Sequence, residues 1–340
     1  MLLILRSWPV FIYALSISVE SILIEPLTTT LSIPPIVISA VSITVAGILL
    51  LLTSTLLYRR NKITTVASTS SLIFSKSKRN LLYASVSLAV GILTWYDSIS
   101  RVGASKEVLL AGPLEIILIV ILAYIFLREK LDKTQVIGIG VTIIGFFLAI
   151  ISDISYNNSD FFFSLNHYSV VTFGDIEAII SSLGFAIGVL FLTKLVSIHS
   201  PLEVAGASLF VSGLMLIGLL IVFVSIFQQQ VSPYIQVSML VSPVVIIALS
   251  LFAWLPFVGA LFYSIGLSRL GAALTGTIGS SSIFLTLVLQ VALNESGVLY
   301  SNLPQNILLA GLGSMIGFIG IFIIHMHDYN LDIKYKKGRI

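Results

Sequence analysis

Residues 103 to 145 read GASKEVLLAGPLEIILIVILAYIFLREKLDKTQVIGIGVTIIG, and the fold follows from them. An apolar run from Val108 to Leu127 carries a proline and a carboxylate, a charged hinge spans Arg128 to Lys133, and a second apolar run with spaced glycines follows. About twenty apolar residues at a rise of about 1.5 Å each match a hydrocarbon core of roughly 30 Å. Glu115 then falls near mid-membrane, where an ionisable side chain is costly and marks a candidate functional site.

Composition places the whole chain in the same class. Of the 340 residues, 57% are hydrophobic and 10% are charged, and the mean hydropathy is +1.08. Soluble domains do not have this balance. Apolar runs cover approximately 8 to 27, 35 to 57, 80 to 98, 104 to 127, 134 to 152, 172 to 193, 202 to 227, 240 to 267, 271 to 293 and 305 to 324. The fold class is therefore an all-α integral membrane protein of ten transmembrane helices. Arg6 precedes about twenty apolar or small residues without a small-residue cleavage site, so the first run reads as an uncleaved span. The chain has no cysteine, which removes disulfides, thiolate catalysis and cysteine-ligated metal from consideration.

Basic residues give the orientation, because cytoplasmic connections carry the excess of Lys and Arg. With the N-terminus inside, all 18 Lys and Arg except Arg101 and Lys106 fall on the cytoplasmic side. The expected location is the cell membrane, multi-pass, with both termini cytoplasmic. The basic tail, 325 to 340, would then touch anionic lipid.

Part of the chain occurs twice. GILTWYDSISRVGAS at Gly91 to Ser105 aligns without gaps on GALFYSIGLSRLGAA at Gly259 to Ala273, 168 positions later. Each half holds five apolar runs, and an odd number inserts the second half upside down. Inverted repeats with a midplane site at their interface characterise secondary transporters. The domain reading is 8 to 152 for the first repeat, 153 to 171 for an external loop, 172 to 324 for the second repeat, and 325 to 340 for the tail.

A central Pro113, then Leu127-Arg128-Glu129-Lys130-Leu131, Gln135, Gly138 and a glycine-spaced run to Gly145 resemble the EamA domain of the drug/metabolite transporter superfamily. The second half repeats the pattern more loosely through Ser268-Arg269-Leu270-Gly271-Ala272, Leu293-Asn294-Glu295, Gln305 and Gly311 to Gly317, with Ser281 in place of the proline. The resemblance implies two EamA-like five-helix repeats, a central cavity and alternating access. It implies a permease for small organic metabolites, amino-acid-like or similar, with proton coupling as one mode. Efflux of lipophilic cations is the second reading, and a non-transporting membrane sensor or an intramembrane enzyme belongs to other classes. No span holds a histidine for a hydrolase, so the chain is not read as an enzyme.

The candidate substrate-binding residues are Glu115, Glu20, Ser281, Ser282, Thr286, Gln290, Trp95, Tyr96 and Tyr263. Glu20 shares a helix face with Tyr13 and Ser16 by spacing. Thr275, Gly279, Ser282, Thr286 and Gln290 form a small or polar stripe, read as lining a path. Glu25 and Glu107 read as solvated mouth residues, and Trp95 and Tyr96 sit where interfacial aromatics are usual. Asp97 and Arg101, four apart, are able to pair. Gly184-x-x-x-Gly188 and Gly313-x-x-x-Gly317 are close-packing signals. The expected partners are a small-molecule substrate, the lipid bilayer and protons, with no nucleic acid, for a monomer or homodimer; no cofactor or metal is expected.

Overall fold

The computed structural model describes residues 2–60, 77–127, 133–152, 173–226, 242–270, 272–298 and 302–337. The charged hinge 128 to 132, most of the loop 153 to 171 and His167 lie outside them. The described backbone is helical with no strand, as a bilayer demands when every N–H and C=O must be satisfied within its own segment.

The helices are α1 (Leu2–Thr29), α2 (Pro35–Arg60), α3 (Lys78–Val102), α4 (Ala104–Leu122, widening into a π turn over Ala123–Leu127), α5 (Lys133–Ile151), α6 (Phe173–Val196) and α7 (Pro201–Ile226). They continue as α8 (Pro243–Phe252), α9 (Trp254–Leu270), α10 (Ala272–Gly279), α11 (Ser281–Glu295) and α12 (Ile307–Lys337). Among the described residues, 9 segments are long and apolar enough to cross a membrane, α8 with α9 counting as one. The expected ninth run is α10 and α11, broken at Ser280 and too short in either piece to be counted alone. The eighth run also breaks, at Ala253 ahead of Pro256, whose ring denies the helix a donor. The basic tail is not a separate segment, because α12 continues through it to Lys337.

Local chemistry sets several starts. Proline opens α2, α7 and α8, where a missing N–H costs nothing. At α7 the Ser200 hydroxyl accepts from the Glu203 amide at 3.2 Å, an N-cap.

The 168-residue offset carries over to the helices. The end of α3 at Val102 maps on the end of α9 at Leu270, and the start of α4 at Ala104 on the start of α10 at Ala272. By the same shift α2 is the mate of α7, and α5 of α12. These mates pack against each other antiparallel. Gly138 lies opposite Gly320 and Ile324, whereas Gly145 lies opposite Gly313 and Gly317. Along α2, Thr44 meets Gly213, Gly47 meets Phe210 and Leu51 meets Gly206. Mates that run in opposite directions make the two halves inverted with respect to one another.

Glycine permits these approaches. A Cβ on Gly184 would lie 2.8 Å from the Cα of Gly91. Gly317, singled out as a close contact, is a receiving surface: its own Cβ would meet only Pro113 at 3.8 Å, and the intolerant positions are Gly145 opposite it and Gly313 one turn earlier on its own helix. Gly140 faces open space.

Large apolar side chains cover the outside, among them Phe126, Ile221, Ile226, Leu251 and Leu308. In water such a surface would aggregate; against lipid it is the proper solvent face.

Candidate functional site

Helix α1 packs against α3, α4, α9, α10 and α11. Its Tyr13 ring packs tilted against Tyr263 of α9 with centroids 4.9 Å apart, and Gly279 of α10 leaves room for that ring, since a Cβ there would sit 2.7 Å from it. Glu115 on α4 lies within electrostatic reach of Tyr13, Tyr263 and Glu107. It is half-buried, with part of its surface accessible. Among the described residues none hydrogen-bonds or ion-pairs with it.

Glu20, on α1, is only 1% exposed and has a hydrogen-bond partner. The Tyr96 hydroxyl donates to its Oε1 at 2.5 Å, while Oε2 is buried without a hydrogen bond. Tyr96 is fully buried between Trp95 and Phe252, at centroid distances of 5.2 and 6.0 Å. The neighbouring Trp95 Nε1–H donates to Glu107 Oε2 at 2.8 Å. Trp95 and Tyr96 are thus interior donors to carboxylates, not interfacial anchors.

Two further assignments change. Glu25 and Glu107 are 4% and 0% exposed, so neither is a solvated mouth residue. Each is held by donors from another segment: Asn302 N–H to Glu25 Oε1 at 2.9 Å, and Trp95 to Glu107. A buried carboxylate requires such partners.

On α10 and α11, Ser281 and Ser282 are half-buried, and the Ser282 carbonyl accepts from Ser18 of α1 at 3.1 Å. Thr275, Thr286 and Gln290 are fully buried, so this part of the stripe is closed off by neighbouring helices. Thr286 returns its hydroxyl proton to the Ser282 carbonyl at 2.8 Å. The Gln290 carboxamide oxygen accepts from the Ser105 amide at 2.8 Å.

The arrangement therefore brings Glu115 and Tyr263 together with Tyr13, whereas Glu20 with Tyr96, Trp95 with Glu107, and Gln290 form their own clusters around α1. The sequence reading missed Ser18, Ser105 and Asn302. Only the repeat carried a trace of the arrangement: the mate of Trp95 is Tyr263 and that of Glu107 is Thr275, so both halves set an aromatic residue near α1, but the carboxylates come from the first half alone.

Arg101 and Lys106, the two exceptions to the charge rule, are neutralised locally. Arg101 pairs with Asp97 and with Glu177 of α6, each at 3.0 Å, and Lys106 with Asp175 at 3.3 Å.

The described residues thus form a multi-pass helical bundle of inverted halves. Residues 7–151 match the model of the EamA-like transporter family, which belongs to the drug/metabolite transporter superfamily. A solved structure titled "Crystal structure of protein" is similar in fold, with a TM-score of 0.59 and 15% identity over 94% of this chain and 97% of that one. The comparison with curated proteins gives no match.

Proposed function

We propose that the protein moves small organic metabolites bearing a cationic amine, amino-acid-like or similar, across the cell membrane by alternating access, with proton exchange at Glu115. The single observation behind this reading is the Glu115 carboxylate, half-buried, without a hydrogen-bond partner among the described residues and within electrostatic reach of Tyr13 and Tyr263. A charge so placed needs a counter-group, and a proton or an ammonium group can each supply it. The tyrosine faces offer a second attraction to a cation.

The same tyrosine pair favours one other reading, export of lipophilic cations, whose rings would stack where an amino acid has none. Neither reading includes covalent chemistry, so the protein is proposed to be a carrier and not an enzyme.

A thermal-shift screen of the purified protein against amino acids, nucleosides, sugars and cationic dyes separates these readings, because a ligand that binds only the folded state raises its apparent stability. Hits are then tested for uptake into proteoliposomes. Stabilisation confined to anionic or uncharged compounds would overturn the assignment of Glu115 as the group that meets the substrate.

A further inference from the structure

Four segments from both halves of the chain converge at the end of the bundle where α1 finishes and α4 begins. Gln290 of α11, fully buried, accepts from the Ser105 amide in the first turn of α4 at 2.8 Å. Its amide group donates to the Asn302 carbonyl at 3.3 Å and to Glu25 Oε2 of α1 at 3.4 Å. Glu25 Oε1 accepts from the Asn302 backbone N–H at 2.9 Å, which closes the ring. Gly103, the one-residue turn between α3 and α4, has φ +87° and lies directly under Asn302, where a Cβ would come within 2.7 Å of the carbonyl oxygen. Glycine is required there both by the backbone angle and by the contact.

We infer that this ring is a gate: it holds the two repeats together across one mouth of the transport path and must open for that mouth to admit or release substrate. The inference rests on the carrier reading above. Three physical points support it. Every link joins different segments, and three of them cross from the first half to the second, which are the elements that rock against each other in inverted-repeat carriers. The carboxylate and carboxamide are satisfied by each other while closed, and by water once the mouth is wet, so both states are tolerable and a half-open dry state is not. The repeat mates of these residues cannot rebuild the ring at the other end, because Leu122 stands for Gln290, Thr193 for Glu25 and Thr134 for Asn302. The device is therefore one-sided. It lies about 15 Å from Glu115, ten residues along α4. In the orientation given by the basic residues, it closes the external mouth.

The cysteine-free chain allows a direct test with the full-length protein in vesicles. Ser282→Cys, half-buried against Ser18 of α1, serves as the accessibility reporter, and its alkylation by a membrane-impermeant maleimide is timed from each side. Two gate variants are compared with the unaltered ring: Gln290→Leu, which installs the residue of the repeat mate and suits an apolar bundle, and the milder Glu25→Gln. Gel filtration establishes that each remains folded. The expected result is labelling from the gated side that rises severalfold in both variants, with little change from the opposite side. An unchanged rate from the gated side in both variants overturns the gate, even where labelling from the opposite side shows that the cavity exists. If labelling rises as expected but no substrate moves in proteoliposomes, the carrier reading fails and the gate stands.

Discussion

The hydroxyl of Tyr96 on α3 donates to the carboxylate of Glu20 on α1 at 2.5 Å, and both side chains are sealed from the surface. Removing the donor leaves a buried acceptor unsatisfied, which costs about 1–3 kcal/mol. Tyr96→Phe is therefore expected to lower the melting temperature of the detergent-purified protein clearly, and Glu20→Gln to lower it less, because an amide still meets the hydroxyl. In the double variant the losses should not add, since the residues share one contact. Additive losses would mean that the pair is not coupled.

Glu115 has the opposite character, with no hydrogen-bond partner to lose among the described residues. Glu115→Gln is nearly isosteric and is expected to leave the melting temperature close to that of the wild type. It should abolish the pH dependence of uptake, or the binding of cationic ligands. Glu20→Gln is the comparison: if it alone flattens the pH profile, the coupling group belongs on α1 and the assignment to α4 is wrong.

Glycine tolerance should follow the backbone contacts and not the sequence motif. Gly145→Leu and Gly184→Leu are expected to abolish folded yield, because each side chain would enter the backbone of the facing helix. Gly140→Leu faces open space and Gly317→Ala meets only the Pro113 ring, so both should express as the wild type does. Equal yields for all four would show that the helices do not approach as described.

Orientation is measurable with single cysteines. Ser77→Cys, preceding α3, is expected to react only from the cytoplasmic side, and Asn302→Cys, preceding α12, only from outside. Reaction of both from one face would contradict the charge-based topology.

Much of this molecule is legible in one dimension. Apolar runs long enough for a bilayer, a Lys and Arg distribution with two exceptions, and a repeat at a constant offset determine the helices, their order and the inversion, since each reflects a demand of the lipid on a local stretch of chain. The offset even predicts helix ends, at Val102 and Leu270. Rotation of each helix about its axis is not legible, because in a membrane the lipid-facing and the packed faces are both apolar and periodicity loses its contrast. That is why Glu25 and Glu107 read as wet mouth residues, Trp95 and Tyr96 as interfacial anchors, and Gly317 as the intolerant member of its pair. The partners of those carboxylates lie on other segments, Asn302 277 positions away from Glu25 and Trp95 on the helix before Glu107. Only the tertiary packing decides which charge within the bundle finds a donor and which, like Glu115, finds none among the described residues.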